Sequence, residues 1–215
     1  QQVTGSKFNT AGELVGWMGA LQAQDYAMAK WAVGLRVPGA TDDSVQKAID
    51  DGLILRTHVL RPTWHLVAAE DIYTWLQLTA GKIKNSMKSR DRQLELDETV
   101  FRKTNSIIEK SLASGNHLTR GELISILKEN NIPVFDNRAS HIFERAELEG
   151  IICSGKSKDN KPTFALLSER VPTYKSLNRD EALARLATVY FTSHGPANLG
   201  DFTWWSGLGA GEARH

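Results

Sequence analysis

The sequence predicts a mainly α-helical α+β fold of tandem winged helix-turn-helix units, each closed by a small β-hairpin wing. Three observations predict it. A capped helix, a second helix and a hairpin follow one another over 117–167; the same order occurs over 11–68; and a third copy begins near 179 but shows no wing. In HLTRGELISILKENNIPVFDNRASHIFERAELEGIICSGKSKDNKPTFALL, Thr119 and Glu122 have the spacing of a capping box. Leu123, Ile126 and Leu127 then give that helix its apolar face, and Asn130, Asn131 and Pro133 end it. A second helix runs from about Arg138 to Glu149 with Ile142, Phe143, Ala146 and Leu148 inward and Gly150 at its end. IICS and TFALL are short strands around the polar turn GKSKDNKP. Two helices and a hairpin in that order make a winged helix-turn-helix.

The earlier copy repeats the pattern. Residues 11–21 and 26–35 read as helices, and 41–52 as a third with Val45, Ala48 and Ile49 inward and Gly52 closing it. LILRTHVL and TWHLVA follow as strands bracketing Arg61 and Pro62; the proline lacks a ladder donor and belongs at the turn. The chain thus divides into a first winged helix (1–70), connecting helices (71–116) with Asp97 as a cap, a second winged helix (117–172) and the start of a third (173–215).

Composition narrows the function classes. Of 215 residues, 41% are hydrophobic and 24% charged, with a net charge of +1, so nucleic-acid binding has to come from local clusters of charge. No apolar run is long enough to cross a bilayer and no signal peptide is visible, which implies a cytoplasmic protein. The single cysteine, Cys153, excludes an internal disulfide and reads as a buried structural residue. His58 and His65 lack a third partner at familiar metal-ligand spacing, and no metal or other cofactor is expected. A start without methionine, QQVTGSKFNT, and an end soon after DFTWW suggest a fragment.

One triplet stands out. Gln22-Ala23-Gln24 lies between two helical runs, with Asp25 beside it. On a continuous helix, positions two apart point roughly 200° away from each other. On an extended or turning backbone they project to the same side. The segment is either a half-exposed helix or a break that aims two amides into one cleft, and Asp25 is the natural cap of the helix starting at Tyr26.

LQAQDYAMAKWAVGLR, LRTHVLRPTWHLVAAEDIYTWL, the 119–167 winged helix and HGPANLGDFTWWSGL occur in an order that resembles the AlkZ-like tandem winged-helix DNA glycosylases. The resemblance spans nearly the whole chain. It implies winged helices in a C-shaped arrangement and excision of alkylated bases or unhooking of interstrand crosslinks in double-stranded DNA. It also implies that Gln22 and Gln24 are the catalytic pair. A carboxamide is no general base. An N7-alkylated purine is already cationic, however, and leaves without being protonated. The remaining demand is to stabilise oxocarbenium character on the sugar and to orient a water, which fixed amide dipoles do in a dry cleft.

Other residues fit DNA contact or plain structure. Arg56 and His58 alternate on one strand face and could meet Arg61 and His65 in a basic patch facing phosphate; otherwise this is a solvated wing with His65 packed inside. Arg138, His141 and Arg145 fall on one stripe of the second helix, and Lys156, Lys158 and Lys161 decorate its wing. Trp64, Trp204 and Trp205 read as core anchors rather than stacking platforms, and His194 as a helix end. A non-catalytic winged-helix regulator and a protein-binding scaffold are the competing functions. A monomer is the expected state.

Overall fold

In the computed structural model, which describes residues 2–5 and 7–214, Thr10 caps α1 (Ala11–Met18) through a capping box with Glu13. Gly19 stops the helix at φ +77°, where any Cβ would fall 2.6 Å from Val189 Cγ1. Its carbonyl accepts from Trp75 Nε1 at 3.0 Å, so the stop is tied into the core. The chain then runs extended as β1 (Leu21–Gln22). This corrects the expected helix over 11–21: a positive-φ glycine and a long-range strand pairing override the local helical pattern.

Asp25 caps α2 (Tyr26–Gly34), accepting from Met28 N at 3.0 Å, and Thr41 caps α3 (Asp42–Asp50). Val45, Ala48 and Ile49 of α3 are buried as its periodicity requires. β2 (Ile54–His58) and β3 (Trp64–Ala68) form the wing, and β3 is central in an antiparallel sheet of order β1-β3-β2. One sheet face, through Leu21, Ala23, Ile54 and Leu66, closes a core with Leu14, Val15, Val33, Val45 and Ile49. Each such aliphatic side chain contributes about 1.5–3 kcal/mol when buried, against about 1 kcal/mol for a cap, so packing sets the stability and the caps set the ends.

The chain separates into two compact units, one made of residues up to 80 together with those from 174 onward, the other of 81–173. α4 (Ile72–Gln93) contains the boundary. In the second unit, α5 (Glu98–Leu112) begins at the Asp97 cap, β4 (Leu118–Thr119) follows, and Thr119 with Glu122 caps α6 (Arg120–Glu129). α7 (Arg138–Leu148), β5 (Ile152–Ser154) and β6 (Thr163–Leu166) complete a sheet of order β4-β6-β5. Phe101, Ile108, Leu112, Leu123, Leu127, Ile142 and Phe143 fill its core. Cys153 is buried, and burial pushes its thiol up to about 12, so it is an inert packing residue. α8 (Leu167–Arg170) ends the unit.

The stretch from 174 onward, expected to begin a third copy, groups with the first unit. It supplies α9 (Arg179–Ser193), ended at His194 as expected, and α10 (Leu199–Ser206). Arg185 Nε donates to the buried Asp71 at 2.7 Å and so pins α9. Trp205 is buried, whereas Trp204 is 71% exposed, against the expectation that both anchor the core. The buried face of α10 runs through Phe202, Trp205 and Ser206, and Trp204 falls outside it.

Candidate active site

Both units share the order helix, two-residue strand, helix, helix, strand, strand, and the same sheet order. They differ at the junction between the short strand and the helix that follows it. In the second unit the last residue of β4, Thr119, is itself the cap of α6. In the first, Ala23 and Gln24 intervene between the end of β1 at Gln22 and the cap Asp25. That added extended backbone carries the Gln22-Ala23-Gln24 triplet.

The alternation is clear in the burial. Ala23 is fully buried in the core, while Gln22 and Gln24 on either side are exposed. Ala23 N donates to Trp64 O at 2.7 Å, continuing the β1–β3 ladder by one residue. The alternation leaves both glutamines on the side away from the core, with the chain bending at Gln24. Gln24 bends back, and its Oε1 accepts from Trp64 N at 3.4 Å.

Arg56 locks the segment from the other edge of the sheet. Its Nε donates to Ala23 O at 3.0 Å and its Nη2 to Gln24 O at 3.4 Å. The guanidinium stacks on Trp64 at 4.1 Å and on Tyr26 at 5.3 Å. Tyr26 is held in turn by its hydroxyl donating to Gln46 Oε1 at 2.9 Å. Arg56 thus directs two donors at the backbone of the triplet. Sequence reasoning missed this clamp, and Tyr26 with it, because its members lie about 30 residues apart in the chain with no local pattern linking them.

The remaining wing residues divide by strand register. Arg56 and His58 share a face, and His58 packs its ring 4.5 Å from Trp64. Arg61 stacks over Trp204 at 4.4 Å. His65 pairs with Thr57 and so lies on the opposite face, 1% exposed. The expected basic patch of Arg56, His58, Arg61 and His65 is corrected accordingly: a one-residue offset in a strand reverses the face. Burial lowers the His65 pKa to about 4; the hydrogen bond to Thr63 opposes the shift, and Arg61 and His58 add to it.

In the second unit the α7 stripe turns inward. Arg138, 4% exposed, donates to the carbonyls of Leu94 and, at 3.0 Å, Pro133. His141 Nδ1 lies 2.6 Å from Asp91 Oδ1. Arg145 pairs with Glu98 and Glu149. The expectation that these three read a DNA groove is corrected: each spends polar atoms on partners within the unit. The wing lysines fare differently. Lys156, Lys158 and Lys161 are exposed, with Lys158 paired to Glu122. Among the described residues, no group of three His, Cys, Asp or Glu side chains could hold a metal ion, and no helix is long and apolar enough to cross a membrane.

Comparison with known proteins adds to this geometry. The family model described as DNA glycosylase AlkZ-like matches residues 15–215. A curated Streptomyces sahachiroi protein named as an interstrand DNA cross-link repair glycosylase is 24% identical over 208 residues, covering 93% of this chain and 55% of that protein. Among solved structures, the Streptomyces sahachiroi DNA glycosylase AlkZ aligns with a TM-score of 0.80 at 23% identity, over 99% of this chain and 60% of that one. The chain therefore spans a little over half the length of these relatives.

Proposed function

Because this chain belongs to the AlkZ-like DNA glycosylase family, we propose that it is the part of a monofunctional DNA glycosylase that hydrolyses the N-glycosidic bond of cationic alkylated purines, with Gln22 and Gln24 as the catalytic pair. The observation that carries this reading is the exposed–buried–exposed alternation at Gln22, Ala23 and Gln24 on non-helical backbone. A helix would have sent the two carboxamides to opposite sides. Here they share one, and Arg56 holds the backbone between them.

The chemistry follows from the leaving group. As the C1′–N9 bond breaks, its electron pair goes to the purine, cancels the positive charge and releases a neutral base. Charge develops instead on the sugar ring. A carboxamide oxygen facing C1′ stabilises that charge because its dipole is already oriented when the reaction begins. Water then adds to C1′ and gives its proton to solvent, leaving an abasic site. No step needs a metal or an organic cofactor, and a neutral base gains little because nothing here protonates it.

The exposed Lys156 and Lys161 are suited to hold the phosphate backbone of duplex DNA without reading sequence. Arg56 contributes to the site by holding the backbone of the triplet rather than by facing the substrate. The winged-helix regulator alternative requires Arg138, His141 and Arg145 on an open helix face, and they are engaged inside the unit. We assign the protein to the cytoplasm as a monomer acting on alkylated or crosslinked duplex DNA.

The test is substrate charge. The full-length protein, incubated with duplex DNA carrying either N7-methylguanine or a neutral lesion such as uracil, is expected to form abasic sites only in the first. Equal release of both bases, or release of uracil alone, contradicts the proposal.

A further inference from the structure

Gln22, His65 and Thr57 form one row across the first sheet: Gln22 pairs with His65 in β1–β3, and His65 with Thr57 in β2–β3. Paired residues share a face, so all three side chains stand side by side. The Ala23 N to Trp64 O bond makes Ala23 and Trp64 a hydrogen-bonded pair. Gln22 and His65 are therefore a non-hydrogen-bonded pair, the kind in which side chains approach closest.

His65 has a defined polarity. Its Nδ1 lies 2.9 Å from Thr63 O, and a carbonyl only accepts, so Nδ1 carries the proton and Nε2 is an acceptor. That Nε2 is buried and has no partner; Thr57 Oγ1, on its other flank, is also buried and has none. Leaving a buried polar atom unpaired costs about 1–3 kcal/mol, so an acceptor kept in this state one residue across from the triplet calls for an explanation.

We propose that His65 is the positioning residue for Gln22: when DNA covers the site, the Gln22 carboxamide nitrogen donates to His65 Nε2, which turns the Gln22 oxygen toward the sugar. The inference rests on the glycosylase reading above. Covering the site strips water from the Gln22 amide, and His65 is the acceptor beside it. A carboxamide can be flipped end for end, and an acceptor at its base permits one orientation only. Gln24 is fixed in the opposite sense, since its oxygen accepts from Trp64 N and its nitrogen is left to face outward. The pair thus presents one oxygen, suited to a developing cation, and one donor, suited to a phosphate or a base edge. A neutral imidazole is needed for this role, and burial keeps His65 neutral above about pH 4.

The experiment measures single-turnover excision of N7-methylguanine and DNA affinity for His65→Phe, which keeps the planar bulk, and His65→Gln, which restores an acceptor near Nε2. Both are made in the wild-type and Gln22→Ala backgrounds. His65→Phe is expected to slow excision about 10- to 100-fold with affinity changed less than about twofold, and His65→Gln to recover most of the loss. In the Gln22→Ala background, His65→Phe is expected to add less than about a twofold effect, because the interaction is already gone. An unchanged rate in His65→Phe, or the same fold-loss in both backgrounds, overturns the proposal. A Gln22→Ala protein that keeps full excision overturns the glycosylase reading of the carboxamides and this inference with it. One that loses excision while His65→Phe keeps it overturns this inference alone. Should His65→Phe not fold, the ¹⁵N resonance of His65 Nε2 decides the matter on protein bound to duplex DNA with a cationic azaribose abasic analogue. It is expected upfield in the wild type relative to Gln22→Ala, and identical positions overturn the proposal.

Discussion

Replacing Gln22 and Gln24 together by alanine is expected to slow single-turnover excision of N7-methylguanine by about a thousandfold, and either replacement alone by about a hundredfold, the range for removing one preorganised polar group from a charge-stabilising site. The double loss falls short of the product of the singles because the two groups act on one transition state. Stability should hold within about 0.5 kcal/mol, since both side chains are exposed and the one bond lost, Gln24 Oε1 to Trp64 N, is long at 3.4 Å. Rapid-quench kinetics with a parallel thermal melt measures both quantities. A loss of activity matched by a loss of folding would instead assign the glutamines a structural role.

The second large effect lies in the other unit. Arg145 is 8% exposed and sits at the centre of a polar cluster. Its Nη2 donates to Glu98 at 2.6 and 2.8 Å, its Nε to Glu149, and its guanidinium stacks on Phe101 at 4.6 Å. Glu149 also accepts from Asn105 Nδ2 at 2.7 Å. Arg145→Met should therefore cost about 2 kcal/mol in urea unfolding at neutral pH; this is less than for a fully buried pair, because Glu98 is largely exposed and screened. Hydrogen bonding from Arg145 holds the Glu98 carboxyl below its usual range. A carboxylate with a depressed folded pKa stabilises the fold above its unfolded value near 4.5, and that contribution fades as pH falls through the lower folded value. DNA affinity should change less than about twofold, as expected for a satisfied interior group. A collapse of affinity with unchanged stability would restore α7 as a recognition helix.

Much of the scaffold was legible in the sequence because its signals are local. Thr119 and Glu122 sit three residues apart, Asp25 and Asp97 immediately precede their helices, and Val45, Ala48 and Ile49 repeat at helical spacing. What escaped depends on partners far along the chain. β1 and β4 have two residues each, too few to show a period, and exist through pairing with residues about 45 positions later. The stripe of Arg138, His141 and Arg145 has one spacing whether it faces DNA or protein; only Asp91, Leu94 and Glu98 decide for protein. His65 and Arg56 are both basic and lie in one hairpin, and only the register parts them. For the candidate site, the break at the triplet could be anticipated from Asp25 as a cap. The Arg56 clamp and the unpartnered His65 Nε2 could not.

The central claim is that two carboxamides on extended backbone promote departure of an already charged base without any proton-carrying group. Its most direct test is the pH dependence of single-turnover N7-methylguanine excision between about pH 5 and about 6.5, where the methylated base keeps its N1 proton and its positive charge, at saturating protein. A flat profile is expected, because a carboxamide does not titrate there and His65 is already neutral. An acid or alkaline limb with its midpoint inside that window would show a titrating group at work and contradict the account.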